Sequence, residues 1–202
     1  MSAKTFYQFL TKFIPLTQEE YDTLILPCVT KRQFDKKSII TFAGEIENYM
    51  NFIDKGLARK YYRKDNDEIN TQISHEGHIL HAQESFHSRT PSEYTIETIE
   101  PVEMTSITYE CLEKIYSSSE KMQQLGRLVI TATMVLKDKW QSQLVKLSPR
   151  ERFINFVTKH PELMQRVPQK YLASYLNIKP ETFSRFKHMV RDYTKKIFAH
   201  QN

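Results

Sequence analysis

The sequence predicts an α+β chain: an N-terminal antiparallel β jelly roll or barrel, one long helix, and a C-terminal helical, winged helix-turn-helix domain. Three observations predict it. Between Val29 and Thr108, short runs rich in Ile, Phe, Tyr and Thr are punctuated by turn signals at Gly44-Glu45, Lys55-Gly56, Lys64 to Glu68, Glu76-Gly77 and Thr90-Pro91. After Tyr109 the apolar periodicity becomes helical and stays so through Val145. Residues 168–190 then hold two short amphipathic helices joined by a three-residue turn. The expected divisions are 1–116 for an effector-type barrel with N-terminal helices, 117–146 for the long helix and 147–202 for the helix-turn-helix domain.

Each element has its own grounds. Thr5 to Leu26 carries Phe6, Phe9, Leu10, Phe13, Tyr21, Leu24 and Ile25 at helical spacing, broken at Pro15 and ended near Pro27, which predicts two short covering helices. Ser38 to Phe42, Tyr49 to Asp54, Leu57 to Arg63, Ile69 to Ser74, Tyr94 to Ile99 and Val102 to Ile107 are the expected strands, with Asp65-Asn66-Asp67 as a hairpin tip. Ser117-Ser118-Ser119 can cap a new helix with Glu120 in its first turn. In that helix Leu125, Leu128, Val129, Ala132, Val135 and Leu136 recur at three and four residues. Such a stripe must be buried, and it is expected to meet a twin helix in a homodimer while its flanks touch the barrel; a helix packed only on its own barrel is the alternative. Ser148, Pro149 and Glu151 spell a capped helix start, with Phe153, Ile154, Phe156 and Val157 as its inner face and a stop at His160-Pro161.

The two short helices obey a steric logic. Their crossing needs a small residue, Ala173; the turn needs a residue that tolerates positive φ, Asn177; and Leu172, Leu176, Ile178, Phe183 and Phe186 can lock the pair. The second helix then presents Lys179, Glu181, Thr182, Ser184, Arg185, Lys187 and His188 outward, with Gln169 and Lys170 at the start of the first. A helix of that size fits the major groove of B-form DNA. Charge agrees: the chain's net +5 divides into +8 after Val145, from twelve Lys and Arg against four Asp and Glu, and −3 before it. A cationic module gains affinity for phosphates by releasing counterions.

Composition excludes several classes. No basic segment followed by an apolar stretch opens the chain, and no window approaches the roughly 18 apolar residues of a membrane span, so a cytoplasmic protein without a membrane partner is expected. Cys28 and Cys111 lie far apart with no Cys-x-x-Cys, against a disulfide scaffold, a zinc ribbon or an iron-sulfur cluster. Both read as buried small hydrophobes. His75, His78, His81 and His87 crowd one region, but spacing along a strand alternates their faces unless a turn intervenes at Glu76-Gly77, so no metal site is expected. Tyr61-Tyr62, between Arg59-Lys60 and Arg63-Lys64, reads as one core and one surface tyrosine rather than a stacking platform. No catalytic constellation is present, and no enzyme is expected.

This order of parts resembles the Crp/Fnr family of bacterial transcription regulators. The resemblance is carried by Phe42-Ala43-Gly44-Glu45, by Phe52-Ile53-Asp54-Lys55-Gly56-Leu57-Ala58-Arg59 and by Glu181-Thr182-Phe183-Ser184-Arg185, while Arg166-Val167-Pro168-Gln169-Lys170-Tyr171 is similar to a branch common in Bacteroidetes. It implies a cyclic-nucleotide-binding-like barrel, a dimerisation helix and a DNA-binding helix-turn-helix in which Glu181 and Arg185 reach base edges and Thr182 or Ser184 touches phosphate. The effector stretch, His78 to Tyr94, departs from the family: it lacks the Gly-Glu pair that holds ribose, and Pro91 stands where the phosphate arginine should precede Ser92. Proline offers neither charge nor N–H, so cyclic AMP is not expected and no cofactor is assigned. Gln83, Ser85, Arg89 and Ser92, with Arg127 on the long helix, are the remaining candidates for an effector pocket. The expected protein is a homodimeric regulator binding double-stranded DNA at an inverted repeat, for which RNA polymerase could be a further partner. The alternatives are a ligand-sensing barrel acting through protein contacts and a metal-dependent enzyme using the histidine cluster.

Overall fold

The computed structural model describes residues 5–199, with side-chain surroundings through Met189. Two compact units are present, one ending at Leu136 and the other beginning at Lys137, so the division falls inside the long helix.

In the first unit, eight strands form two antiparallel four-stranded sheets. One has the order β1 (Thr30–Phe34), β8 (Val102–Thr108), β3 (Tyr49–Lys55), β6 (Ile79–Leu80); the other has β2 (Ile39–Thr41), β7 (Thr95–Thr98), β4 (Ala58–Lys64), β5 (Asp67–Ser74). Six of these strands coincide with those expected. The other two carried no readable signal: β1 is Thr-Lys-Arg-Gln-Phe, and β6 is two residues long. Strand alternation separates two apolar layers. Ile53 and Met104 pack with Ala58, Leu80, Ile96 and Val102 between the sheets, whereas Phe52 and Ile107 pack on the opposite face against the helices. Gly56 turns the chain between β3 and β4 at φ +95°, and a Cβ there would sit 2.1 Å from the Pro101 carbonyl oxygen.

The covering helices are α1 (Phe6–Leu10) and α2 (Gln18–Glu20), each opened by a threonine capping box, and α2 runs on as a π-helical turn to Ile25 and a 3-10 turn to Cys28. Between β6 and β7 lies α3 (Gln83–Ser88). After β8, α4 (Tyr109–Ser118) ends at an extended Ser119, and α5 (Glu120–Lys146) follows without a gap. Phe6, Leu10, Ile25, Leu112, Ile115, Met122, Leu125 and Val129 close the core over Phe52 and Ile107. Gly126 lets the Tyr116 ring approach α5, since a Cβ there would lie 2.2 Å from Tyr116 Cε1.

The second unit contains the end of α5, α6 (Pro149–Lys159), α7 (Leu163–Arg166), α8 (Gln169–Tyr175) and α9 (Pro180–Ala199). Ser148 caps α6 in a full capping box with Glu151. Phe153 and Phe156 are buried as expected, but Ile154 is exposed and its place is taken by Arg152, which shares the face of Phe153 and Phe156 at helical spacing. Trp140 stacks on Tyr175 with ring centroids 4.2 Å apart. The expected wing is corrected: among the described residues no strand follows β8, because α9 stays helical through Ala199. No helix among the described residues is long and apolar enough to cross a membrane.

Candidate functional site

The turn between α8 and α9 spans Leu176 to Lys179, one residue longer than expected, with Asn177 at φ +51°. Leu172, Ala173, Leu176, Ile178 and Phe183 are buried beneath it, and the Phe183 and Phe186 rings lie 5.1 and 5.6 Å from Phe153. What sequence reasoning missed is Arg152. Its guanidinium is almost fully buried and donates to the carbonyls of Leu176 (2.8 Å), Asn177 (2.8 Å), Leu147 (2.7 Å) and Leu144 (3.1 Å). One cation thus ties the turn to the end of α5, satisfying carbonyls that helix ends leave open. An arginine on a helix reads as surface in sequence, so only its spacing from Phe153 and Phe156 could have signalled it.

With Phe183 turned inward, Glu181, Arg185 and His188 come to one exposed face of α9 at i, i+4 and i+7, while Thr182, Ser184 and Lys187 are half-buried beside it. Lys179, just before α9, and Gln169 and Lys170, opening α8, are exposed as well. Lys146, Arg150 and Lys159 add exposed cations to the same unit. Of the basic residues counted after Val145, Arg191, Lys195 and Lys196 lie outside the residues whose side chains are described. Chemically, the face offers a bidentate donor, a carboxylate acceptor and an imidazole on a rigid helix, bracketed by lysines. Those are the groups that read base edges and phosphates.

The five candidate effector residues do not converge. Ser85 is buried; its Oγ accepts from the Glu47 N–H and donates to the Thr90 carbonyl. Ser92 is buried, with its Oγ donating to the Tyr94 carbonyl and accepting from the Tyr94 N–H. Arg89 caps α3 at φ +58° and donates to the Phe86 carbonyl of its own loop and, across to the segment before β3, to the Glu47 carbonyl and Asn48 Oδ1, so its donors are engaged by neutral acceptors. Arg127 is exposed on α5. Of the five, Gln83 alone borders the apolar cavity beneath the covering helices. The expectation that these groups line one polar pocket is therefore corrected: three of them hold the loop's shape. The loop is anchored by Glu47, a carboxylate that is 1 % exposed and accepts from Thr41 Oγ1, the Tyr49 N–H and the Ala82 N–H. Burial raises its pKa above the ordinary carboxylate value against those hydrogen bonds.

The histidine cluster separates into two pairs. A turn at Gly77, φ +84°, brings His75 and His78 together with ring centroids 4.0 Å apart. His81 and His87 form a second pair, 5.9 Å apart. The two cysteines, distant in sequence, come together half-buried; burial first, then the neighbouring Cys111 thiol, raises the Cys28 pKa. Tyr61 is buried and Tyr62 stands half-buried against Tyr94, as strand alternation requires.

The stripe on α5 divides as well. Leu125 and Val129 are buried in the first unit's own core, with Leu128 packed against it, so their assignment to a twin helix is corrected: the barrel and α4 already cover them. Ala132 is half-buried, and Met134, Val135 and Leu136 are exposed by 60, 46 and 68 %. The uncovered apolar surface is therefore the C-terminal end of the expected stripe, Val135 and Leu136, with Met134 beside them.

Comparison with known proteins fits this description. Residues 31–119 match the family model of the cyclic nucleotide-binding domain. Over nearly its whole length the chain shares the fold of solved Crp/Fnr-type regulators. It is similar to the c-di-GMP responsive global regulator CLP of Xanthomonas campestris (15 % identity, 88 % of this chain and 93 % of that one, TM-score 0.66). It is similar also to FixK2 of Bradyrhizobium japonicum (17 %, 82 and 86 %, TM-score 0.67) and to a Crp/Fnr family regulator of Eubacterium rectale (16 %, 90 and 88 %, TM-score 0.66). No curated protein sequence matches the chain at a significant level.

Proposed function

We propose that the chain is a cytoplasmic, homodimeric transcription regulator of Crp/Fnr type that binds double-stranded DNA through α8 and α9. The observation that carries the reading is the exposed face of Glu181, Arg185 and His188 on a helix whose opposite face buries Phe183 and whose preceding turn is held by Arg152, with Lys170 at the start of α8 and Lys179 just before α9. A dimer would set two such helices in successive major grooves, about 34 to 36 Å apart, which calls for an inverted repeat. Met134, Val135 and Leu136 supply the apolar surface for pairing through α5. RNA polymerase is a further partner in this reading, and the Bacteroidetes-type branch rests on the Arg166 to Tyr171 wording alone. Cyclic AMP is not proposed as effector, because Ser85 and Ser92 are engaged inside their loop and Arg89 is engaged by the Glu47 carbonyl and Asn48.

The test is selection of bound duplexes from a random pool, with sedimentation of the free protein. The reading expects an enriched inverted repeat and a dimer that Leu136→Glu dissociates. A monomer with no enriched motif would remove it.

A further inference from the structure

Beneath the covering helices the first unit holds a partly open cavity of about 50 Å³, between the helix-facing side of one sheet and α1, α4 and α5. Its wall is apolar, set by residues such as Leu10, Met50, Ile107, Ile115, Leu125 and Ile130. No Lys, Arg, Asp or Glu lines it. Its polar groups are Tyr116 and Thr133 on the helices, and His81, Gln83 and His87 on the side of α3.

His81 is the informative group. It is buried, and its Nε2 has no hydrogen-bond partner among the described residues. A buried polar atom left unpaired costs about 1 to 3 kcal/mol, a cost that folding alone does not explain. The phenyl ring of Phe86 and the imidazole of His87 stand beside it, 5.2 and 5.9 Å away between centroids, and neither meets the need. Burial holds the His81 imidazole far below its usual pKa, at about 3, with Lys60 and His87 adding to the effect. The ring is therefore neutral at physiological pH, and Nε2 offers either a lone pair or an N–H.

We propose that this cavity is a ligand site for a small, uncharged, mainly apolar molecule whose single hydrogen-bonding group pairs with His81 Nε2. Volume and lining both argue against a nucleotide: 50 Å³ is a third of the roughly 150 Å³ that accepts benzene, and no cation faces it to hold phosphate. A charged ligand would lose its hydration with nothing to replace it. The size fits a molecule of a few heavy atoms, and the orphaned nitrogen sets its one polar requirement. Because Met122 to Thr133 of α5 form one wall, occupancy would act on the packing of that helix. The site itself stands apart from the DNA-binding reading, since it lies wholly within the first unit.

The experiment uses the full chain labelled with ¹⁵N-histidine and ¹³C-methyl isoleucine and leucine, titrated with 1-propanol, which can donate and accept, and with xenon, which can do neither. The proposal expects both probes to move the methyl signals of Ile107, Ile115 and Leu125, and only 1-propanol to move the His81 Nε2 resonance. His81→Leu should weaken 1-propanol by roughly five- to tenfold, the worth of one hydrogen bond, and leave xenon unchanged. Ile130→Phe, which fills the cavity from α5 without touching His81, should lose both probes. Methyl signals unmoved by either probe, or equal 1-propanol affinity in His81→Leu, would overturn the proposal. Loss of DNA binding in the same sample would count against the regulator reading alone.

Discussion

The α3 loop and the α9 face are both rich in polar residues, yet they spend them in opposite ways. In the loop, Ser85 and Ser92 are turned onto backbone groups of their own segment, Arg89 ties the loop to the Glu47 carbonyl and Asn48, and Glu47 is buried to anchor them. On α9 the backbone satisfies itself, so Glu181, Arg185 and His188 are left facing solvent. Irregular backbone consumes polar side chains because its N–H and C=O groups need partners, whereas a regular helix leaves them for an outside partner. A polar cluster in sequence therefore means different things in a loop and on a helix.

The largest expected effect that sharpens this contrast is at Arg152, where a cation serves backbone inside the helical unit. Arg152→Leu should cost about 3 kcal/mol or more by leaving four carbonyls short of a donor. Urea unfolding followed by the fluorescence of Trp140, the chain's single tryptophan, reads that unit directly. A loss under 1 kcal/mol would mean the clamp is dispensable.

His81 comes next. Its folded pKa lies below the unfolded value, so the unfolded chain binds the extra proton and the stability His81 contributes near neutrality is lost as pH falls from 6.5 toward 3. Between pH 7 and pH 5 that loss is about 2 kcal/mol, and it should be absent from His81→Leu. Parallel wild-type and variant curves of stability against pH would contradict the assignment.

On the α9 face the effects should fall on binding and spare stability. Arg185→Ala should cost about 1 to 3 kcal/mol at one base pair of the site, while Lys170→Ala should weaken every sequence alike and lower the salt slope by about 1. Competition binding over single-base variants of the selected site separates the two; identical profiles would break the distinction. Smallest is Ser92→Ala, expected to cost about 1 kcal/mol of stability through the Tyr94 hydrogen bonds with no change in DNA affinity. A DNA defect there would show that the loop does more than hold its own shape.

Much of this was legible from residue order. Turn signals and alternation located six of eight strands, and the Ser148 capping box fixed the start of α6. Asn177 with Ala173, Leu176 and Phe183 defined the α8–α9 pair, because a tight crossing leaves few options for those positions. What was hidden depended on tertiary partners. β1 is polar and gains its place only by pairing with β8. The meeting of Cys28 with Cys111 and the depth of His81 arise from segments far apart in sequence. The α5 stripe was periodic throughout, and periodicity alone could not tell that Leu125 and Val129 face the barrel while Val135 and Leu136 do not.

Hydroxyl-radical footprinting of the protein on its selected duplex tests the central claim most directly, that the exposed α9 face reads DNA. The account predicts protection in two patches about one helical turn apart, with contacts at one base pair per half-site lost in Arg185→Ala. A duplex left unprotected at low ionic strength, or a footprint that Arg185→Ala leaves intact, would contradict it.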